Sequence, residues 1–161
     1  MQLRILATGG TFDKTYDELN GKLFFKETHV GEILESGRCK IPIQIRTLMM
    51  IDSLDMSEVD REIILKNVIS CDEKYIVITH GTDTMTITAE YLRGKVMDKT
   101  VVITGAMIPY KFDSSDGLFN LGAAIAFAQT LSPGVYIAMN GKYFLAGKVV
   151  KNTKTGTFED I

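Results

Sequence analysis

The chain has 161 residues, 45% of them hydrophobic and 24% charged, with a formal net charge of −2. That length suggests one domain, residues 1–161, large enough to bury a core without staples. The near-neutral balance argues against nucleic acid as a partner, and no apolar run reaches the roughly 20 residues that cross a bilayer. The N-terminus, Met1-Gln2-Leu3-Arg4-Ile5-Leu6, lacks the long apolar stretch and small-residue cleavage site of a signal peptide, so a cytoplasmic protein is expected. Leu3 to Ala7 reads as a first strand ending at Thr8-Gly9-Gly10-Thr11, where the paired glycines allow close backbone approach. Neither a Gly-x-Gly-x-x-Gly fingerprint nor a phosphate-binding Gly-Lys-Ser/Thr follows.

Phe12 to Thr28 is polar and contains Asn20-Gly21, a hairpin signal, so a flap is expected there with Tyr16 in its middle. His29 to Glu35 reads as a short helix. Ile43 to Ile51 is a second strand, followed by the loop that holds Ser53. Ser57 and Asp60 resemble a capping box for a helix that buries Ile64, Leu65, Val68 and Ile69. Ser57 being available for that role, Ser53 is not needed as the cap.

Ile76 to Thr79 is a third, uninterrupted apolar strand. It breaks at Gly81 and delivers Thr82, Asp83 and Thr84 in a row. Met85, Ala89, Leu92 and Val96 then recur at helical spacing. One helix cap needs one of the three polar residues, not all of them. Val101 to Thr104 is a fourth strand. A long helix from Asp116 to Leu131 is expected to place Leu118, Leu121, Ile125 and Ala128 on one side. Val135 to Met139 is a fifth strand, and Asn140-Gly141 turns into Tyr143-Phe144-Leu145. The tail from Lys148 reads as polar. Cys39 and Cys71 lie far apart, which favours two buried free thiols.

Strands alternating with helices mean an α/β fold: a three-layer sandwich with a mainly parallel, Rossmann- or flavodoxin-like sheet, helices on both faces and a flap hairpin near the N-terminus. Right-handed crossovers favour the five-strand order 2-1-3-4-5. That order brings the loops after strands one, two and three together at the switch point, and with them Thr11, Ser53 and Thr82-Asp83. No Cys/His cluster has metal-ligand spacing, so neither metal nor cofactor is expected. His80 is a possible base, but a histidine at a strand end is more often packed than catalytic. A threonine hydroxyl is a weak nucleophile and needs a nearby base; Asp83 with a lysine offers such a relay.

Thr8-Gly9-Gly10-Thr11 and His80-Gly81-Thr82-Asp83-Thr84-Met85 together resemble the bacterial-type asparaginase/glutaminase family. Ser53-Leu54-Asp55-Met56, Thr104-Gly105-Ala106-Met107 and Asp116-Gly117 with Phe119-Asn120-Leu121 add to the likeness, which covers only that family's amino-terminal domain. The resemblance implies hydrolysis of a small amide through a threonine acyl-enzyme. Thr11 matches the first nucleophilic threonine, and Tyr16 the tyrosine that assists it. Thr82, Asp83 and Lys151 match the second triad. Ser53 and Asp83 match the groups that hold a substrate's carboxylate and ammonium, with Gly10 and Gly81 beside them. Phe12-Asp13, Leu54 and Ile108 depart from the family's usual residues. The resemblance also implies a homo-oligomer, a dimer or tetramer, with a small amide or amino acid as ligand. The competing reading is a non-catalytic domain that binds an amino acid or metabolite for sensing or assembly.

Overall fold

The computed structural model describes residues 2–161. Its main sheet has six strands: β1 (Leu3–Gly9), β4 (Ile43–Ile51), β5 (Tyr75–Thr79), β6 (Thr100–Thr104), β7 (Gly134–Met139) and β8 (Lys142–Leu145). The flap strands β2 (Lys14–Asp17) and β3 (Lys22–Phe25) precede β4 in the chain. The order across the main sheet is β4-β1-β5-β6-β7-β8. Its first five strands are parallel and β8 is antiparallel to β7. The 2-1-3-4-5 order expected from sequence is therefore present, with a hairpin strand added at one edge.

Alternate residues of each strand feed opposite faces, because successive side chains point to opposite sides of a pleated sheet. Leu6, Ile76, Ile78, Val101, Ile103 and Ile137 pack with α2 (Glu58–Ser70) and α3 (Met85–Leu92). Leu3, Ile5, Val77, Val102 and Ala138 pack with α1 (Val30–Ser36) and α4 (Gly117–Thr130). Two helices cover each face, which gives the three-layer sandwich.

Several local expectations meet the structure directly. Ser57 and Asp60 form a reciprocal capping box at the start of α2. Met139 pairs with Lys142 across Asn140-Gly141, and both turn residues have positive φ, 54° and 81°, as a two-residue hairpin matching strand twist requires. At the flap, Asp17 pairs with Lys22, so the loop spans four residues rather than the Asn-Gly pair alone. Asp17 Oδ1 accepts the Leu19 and Asn20 amides and shapes that loop.

Other expectations are corrected. Helix α3 stops at Leu92, before Lys95, and Val96 joins the core from the loop beyond it. Ile69 and Leu118 face outward, while their neighbours Leu65, Val68, Leu121 and Ile125 are buried. Both cysteines are free but half-buried, not fully buried. The tail forms an antiparallel hairpin, β9 (Val149–Asn152) with β10 (Thr157–Asp160), that buries Val149 and Phe158. Its apolar residues are too few and too scattered to give a strong alternation signal.

Candidate active site

Three turns meet beyond the carboxyl ends of β1, β4 and β5. They pack backbone against backbone, and glycine is what permits it. A Cβ on Gly10 would collide with the backbone nitrogen of Gly81 and lie 2.5 Å from its Cα; Gly10 also has φ +74°. A Cβ on Gly81 would lie 2.5 Å from Ser53 Oγ. Gly10, Gly81 and Ser53 thus stack as three touching layers, each from a different loop. Thr11 follows Gly10 as the first residue of a 3-10 turn, half-buried. Ser53 opens a second such turn and is 2% exposed, its hydroxyl without a hydrogen-bond partner among the described residues.

Thr82 and Asp83 lie between β5 and α3. Lys151 reaches them from β9, 69 and 68 positions away. Its Nζ donates to Thr82 Oγ1 at 2.9 Å and to Asp83 Oδ1 at 2.6 Å. Thr82 is buried, the Lys151 side chain is 11% exposed, and the Asp83 carboxylate is half-exposed. Charge-assisted bonds of this length fix both partners. Among the described residues no lysine hydrogen-bonds the Thr11 hydroxyl, whereas Lys151 bonds that of Thr82, so the two threonines differ in their surroundings.

None of the three polar residues caps α3 through its side chain. Thr84 is the N-cap residue but makes no capping bond; its hydroxyl donates to Ser53 O at 2.8 Å. The capping explanation for this polar run is thereby removed for Thr84, while Thr82 and Asp83 engage Lys151.

His80 is a packed histidine. It is fully buried, and desolvation, partly offset by the bond to Gly81 O, pushes its pKa down to about 4. Nδ1 lies 2.8 Å from Gly81 O and Nε2 lies 2.8 Å from Thr88 Oγ1. A neutral ring that donates from Nδ1 and accepts at Nε2 satisfies both bonds.

The flap is tethered at its root on two sides. Lys14 pairs with Asp52, the residue before Ser53, at 2.5 Å. Asp13 accepts the His29 amide at 2.8 Å and the Thr28 hydroxyl at 3.1 Å. Asp13 is fully buried and its Oδ2 has no partner, so desolvation raises its pKa to about 6. Tyr16 is 54% exposed on β2, with its hydroxyl 3.9 Å from where a Gly21 side chain would begin. The structure therefore gathers Gly10, Thr11, Ser53, Gly81, Thr82, Asp83 and Lys151, and leaves Tyr16 out on the flap.

Sequence reasoning noted Asp13 only as a departure from the family pattern, and passed over Lys14, Asp52 and Arg61. The Lys14–Asp52 pair spans 38 positions and carries no local signal. Asp13 had one: a carboxylate beside Phe12, two positions after the candidate nucleophile Thr11.

The chain matches the sequence family described as Asparaginase, N-terminal, over residues 2–160. It is 32% identical to the L-asparaginase of Thermococcus kodakarensis over 159 residues, covering 94% of this chain and 48% of that protein. The solved thermostable L-asparaginase from the same organism superposes with a TM-score of 0.88 at 31% identity, over 100% of this chain and 51% of that one. The probable cytoplasmic L-asparaginase from Campylobacter jejuni gives 0.83 at 29% identity, over 99% and 52%. The chain spans about half the length of the curated relatives it matches.

Proposed function

This chain belongs to the asparaginase family, and from that premise we propose that it is an amidohydrolase acting on asparagine, glutamine or a related small amide. The reaction releases ammonia through a threonine acyl-enzyme. The Thr11 hydroxyl attacks the amide carbonyl, and the carbonyl's electron pair moves onto oxygen. Backbone N–H groups near Thr82 stabilise that oxyanion, a contribution commonly worth a few kcal/mol. Collapse expels ammonia, and water then attacks the ester to free Thr11. Lys151, held between Thr82 and Asp83, relays the proton, while Tyr16 assists Thr11 when the flap closes. Ser53 and Asp83 hold the substrate's carboxylate and ammonium, which pairs opposite charges with hydrogen-bonding groups of the right sign. Gly10 and Gly81 let the backbone approach that ligand.

The observation that supports this reading is Lys151 within hydrogen-bond reach of both Thr82 and Asp83. A hydroxyl, a lysine and a carboxylate in contact form a relay along which the proton released by the attacking Thr11 can pass. A domain that only binds an amino acid needs Ser53 and Asp83 but not this relay. We further read the protein as a cytoplasmic homo-oligomer, a dimer or tetramer, with residues 1–161 forming one asparaginase amino-terminal-type domain.

Ammonia release from a panel of small amides tests the reading. Turnover of at least one amide is expected, lost in Thr11→Ala. Saturable binding with no ammonia from any amide would favour the sensing or assembly domain instead.

A further inference from the structure

Arg61 is 94% buried by exposure of 6%, yet among the described residues no carboxylate lies within ion-pair distance of it. Burying an unpaired charge is costly, so its neighbours are informative. Its Nη1 donates to Met56 O at 3.0 Å, at the end of the Ser53 turn. Its Nη2 donates to Thr84 Oγ1 at 3.3 Å, and that hydroxyl donates onward to Ser53 O. Its Nε donates to Thr88 Oγ1 at 3.1 Å. Thr88 Oγ1 in turn lies against His80 Nε2, whose ring reaches Gly81 O.

These bonds have a fixed direction. A guanidinium only donates, so each threonine hydroxyl that accepts from it is left to pass its own proton onward. Thr84 then donates to Ser53 O, and Thr88 donates to His80 Nε2. That leaves the Nδ1 proton of His80 for Gly81 O. One side chain on α2 thus braces the Ser53 turn from two sides and the Gly81 turn from a third. Asp60 on the same helix feels its charge, but no carboxylate among the described residues pairs with it directly, and a buried cation acts through a medium of lower effective dielectric than water.

We propose that Arg61 is a positioning residue for the active site and sets its preference for a substrate that carries a carboxylate. The inference rests on the amide-hydrolysis reading. Arg61 acts from behind the turns: it orients the groups that touch the ligand, and its field favours an anion at the Ser53 end. A surface ammonium does not substitute for it, because the planar fork holds three acceptors at once. Its outer side borders a cavity of about 570 Å³ between α2 and α3, which also receives Glu58, Glu90 and Arg93. Glu90 there is paired with Arg93.

The test uses the full chain with Arg61→Gln and Arg61→Lys, assayed on L-asparagine and on its α-methyl ester, which lacks that carboxylate. Arg61→Gln loses both bracing and charge: kcat is expected to fall on both substrates, and kcat/KM for asparagine to fall at least about tenfold further than for the ester, the excess arising mainly through KM. Arg61→Lys keeps the charge and loses the bracing, so the preference for asparagine survives while kcat falls. Equal losses on both substrates in Arg61→Gln would assign the residue a structural role and overturn the proposal. If Arg61→Gln fails to fold, Arg61→Lys decides, and loss of its preference overturns the proposal as well. Should the wild-type chain release no ammonia, the hydrolysis reading fails separately. Calorimetric titration with L-aspartate and its dimethyl ester then makes the same comparison. Equal wild-type affinities, or binding of neither, overturn the role of Arg61.

Discussion

Lys151 Nζ sits 2.6 Å from Asp83 Oδ1, although 68 positions separate the two residues. The lysine comes from β9, in the tail that reads as polar, and it arrives at the turn between β5 and α3 that presents Thr82, Asp83 and Thr84. Truncating it by Lys151→Met is expected to lower kcat by roughly 10²–10⁴-fold with a much smaller change in KM, the range of general acid–base terms. Steady-state ammonia release gives both parameters. A rise in KM at unchanged kcat would make Lys151 a binding residue instead.

Thr11→Ala should abolish turnover while leaving ligand binding largely intact, because it removes the attacking hydroxyl and none of the charges that hold the ligand. Thr82→Ala should also impair turnover, and Asp83→Ala should weaken binding as well as rate. Paired turnover and calorimetric titration separate these effects. If Thr11→Ala retains near-native turnover, the nucleophile is Thr82, activated by Lys151 and Asp83.

Gly10→Ala is expected to disable the site more severely than an ordinary surface change. The new Cβ has no room against Gly81, and a non-glycine residue at φ +74°, ψ −177° adds roughly 1–3 kcal/mol of backbone strain, because that region is essentially reserved for glycine. The turn must shift, carrying Thr11 with it. A lower melting temperature together with lost turnover is the expected pair of readings; native values of both would show that the two turns can separate freely.

Acid should reveal two opposing buried groups. Burial raises Asp13 to about 6, so its folded form prefers the proton; the associated stability is present below the unfolded value of 3.8 and is lost as pH rises through about 6. His80 is lowered to about 4, so its stability is present above 6.5 and is lost as pH falls towards 4. Each effect is about 3 kcal/mol in full, and between pH 7 and 4.5 they largely cancel. Asp13→Asn removes the first and leaves the second unopposed. Urea unfolding should show the variant losing about 2 kcal/mol relative to wild type between pH 7 and pH 4.5. Parallel pH profiles would mean that Asp13 is not desolvated in solution.

Helix α4 has no charged residue, yet it presents Leu118 and Phe119 at 45% and 61% exposure. An uncharged helix this rich in apolar residues is normally covered. Light scattering at micromolar concentration is expected to report a dimer or tetramer, and Phe119→Glu to shift it towards monomer. A wild-type monomer would reject the oligomer.

The strand order, the two covered faces and the meeting of the Thr11, Ser53 and Thr82 loops were legible in the sequence. Each follows from local or near-local rules: uninterrupted β-branched runs mark strands buried on both sides, helical spacing separates them, and right-handed crossovers leave few orders to choose from. The Asn140-Gly141 turn and the Ser57–Asp60 cap were legible for the same reason, since their partners lie within a few residues. Which side of a helix is covered was less so: Leu118 and Leu121 are equally apolar, and only the sheet's position selects one of them. The partners of Lys151 were legible only through the family resemblance, and the bracing by Arg61 and the burial of Asp13 lie wholly in the tertiary structure. Each depends on a hydrogen bond or on desolvation between elements far apart in the chain, and a side chain's type does not encode how far the folded chain removes it from water.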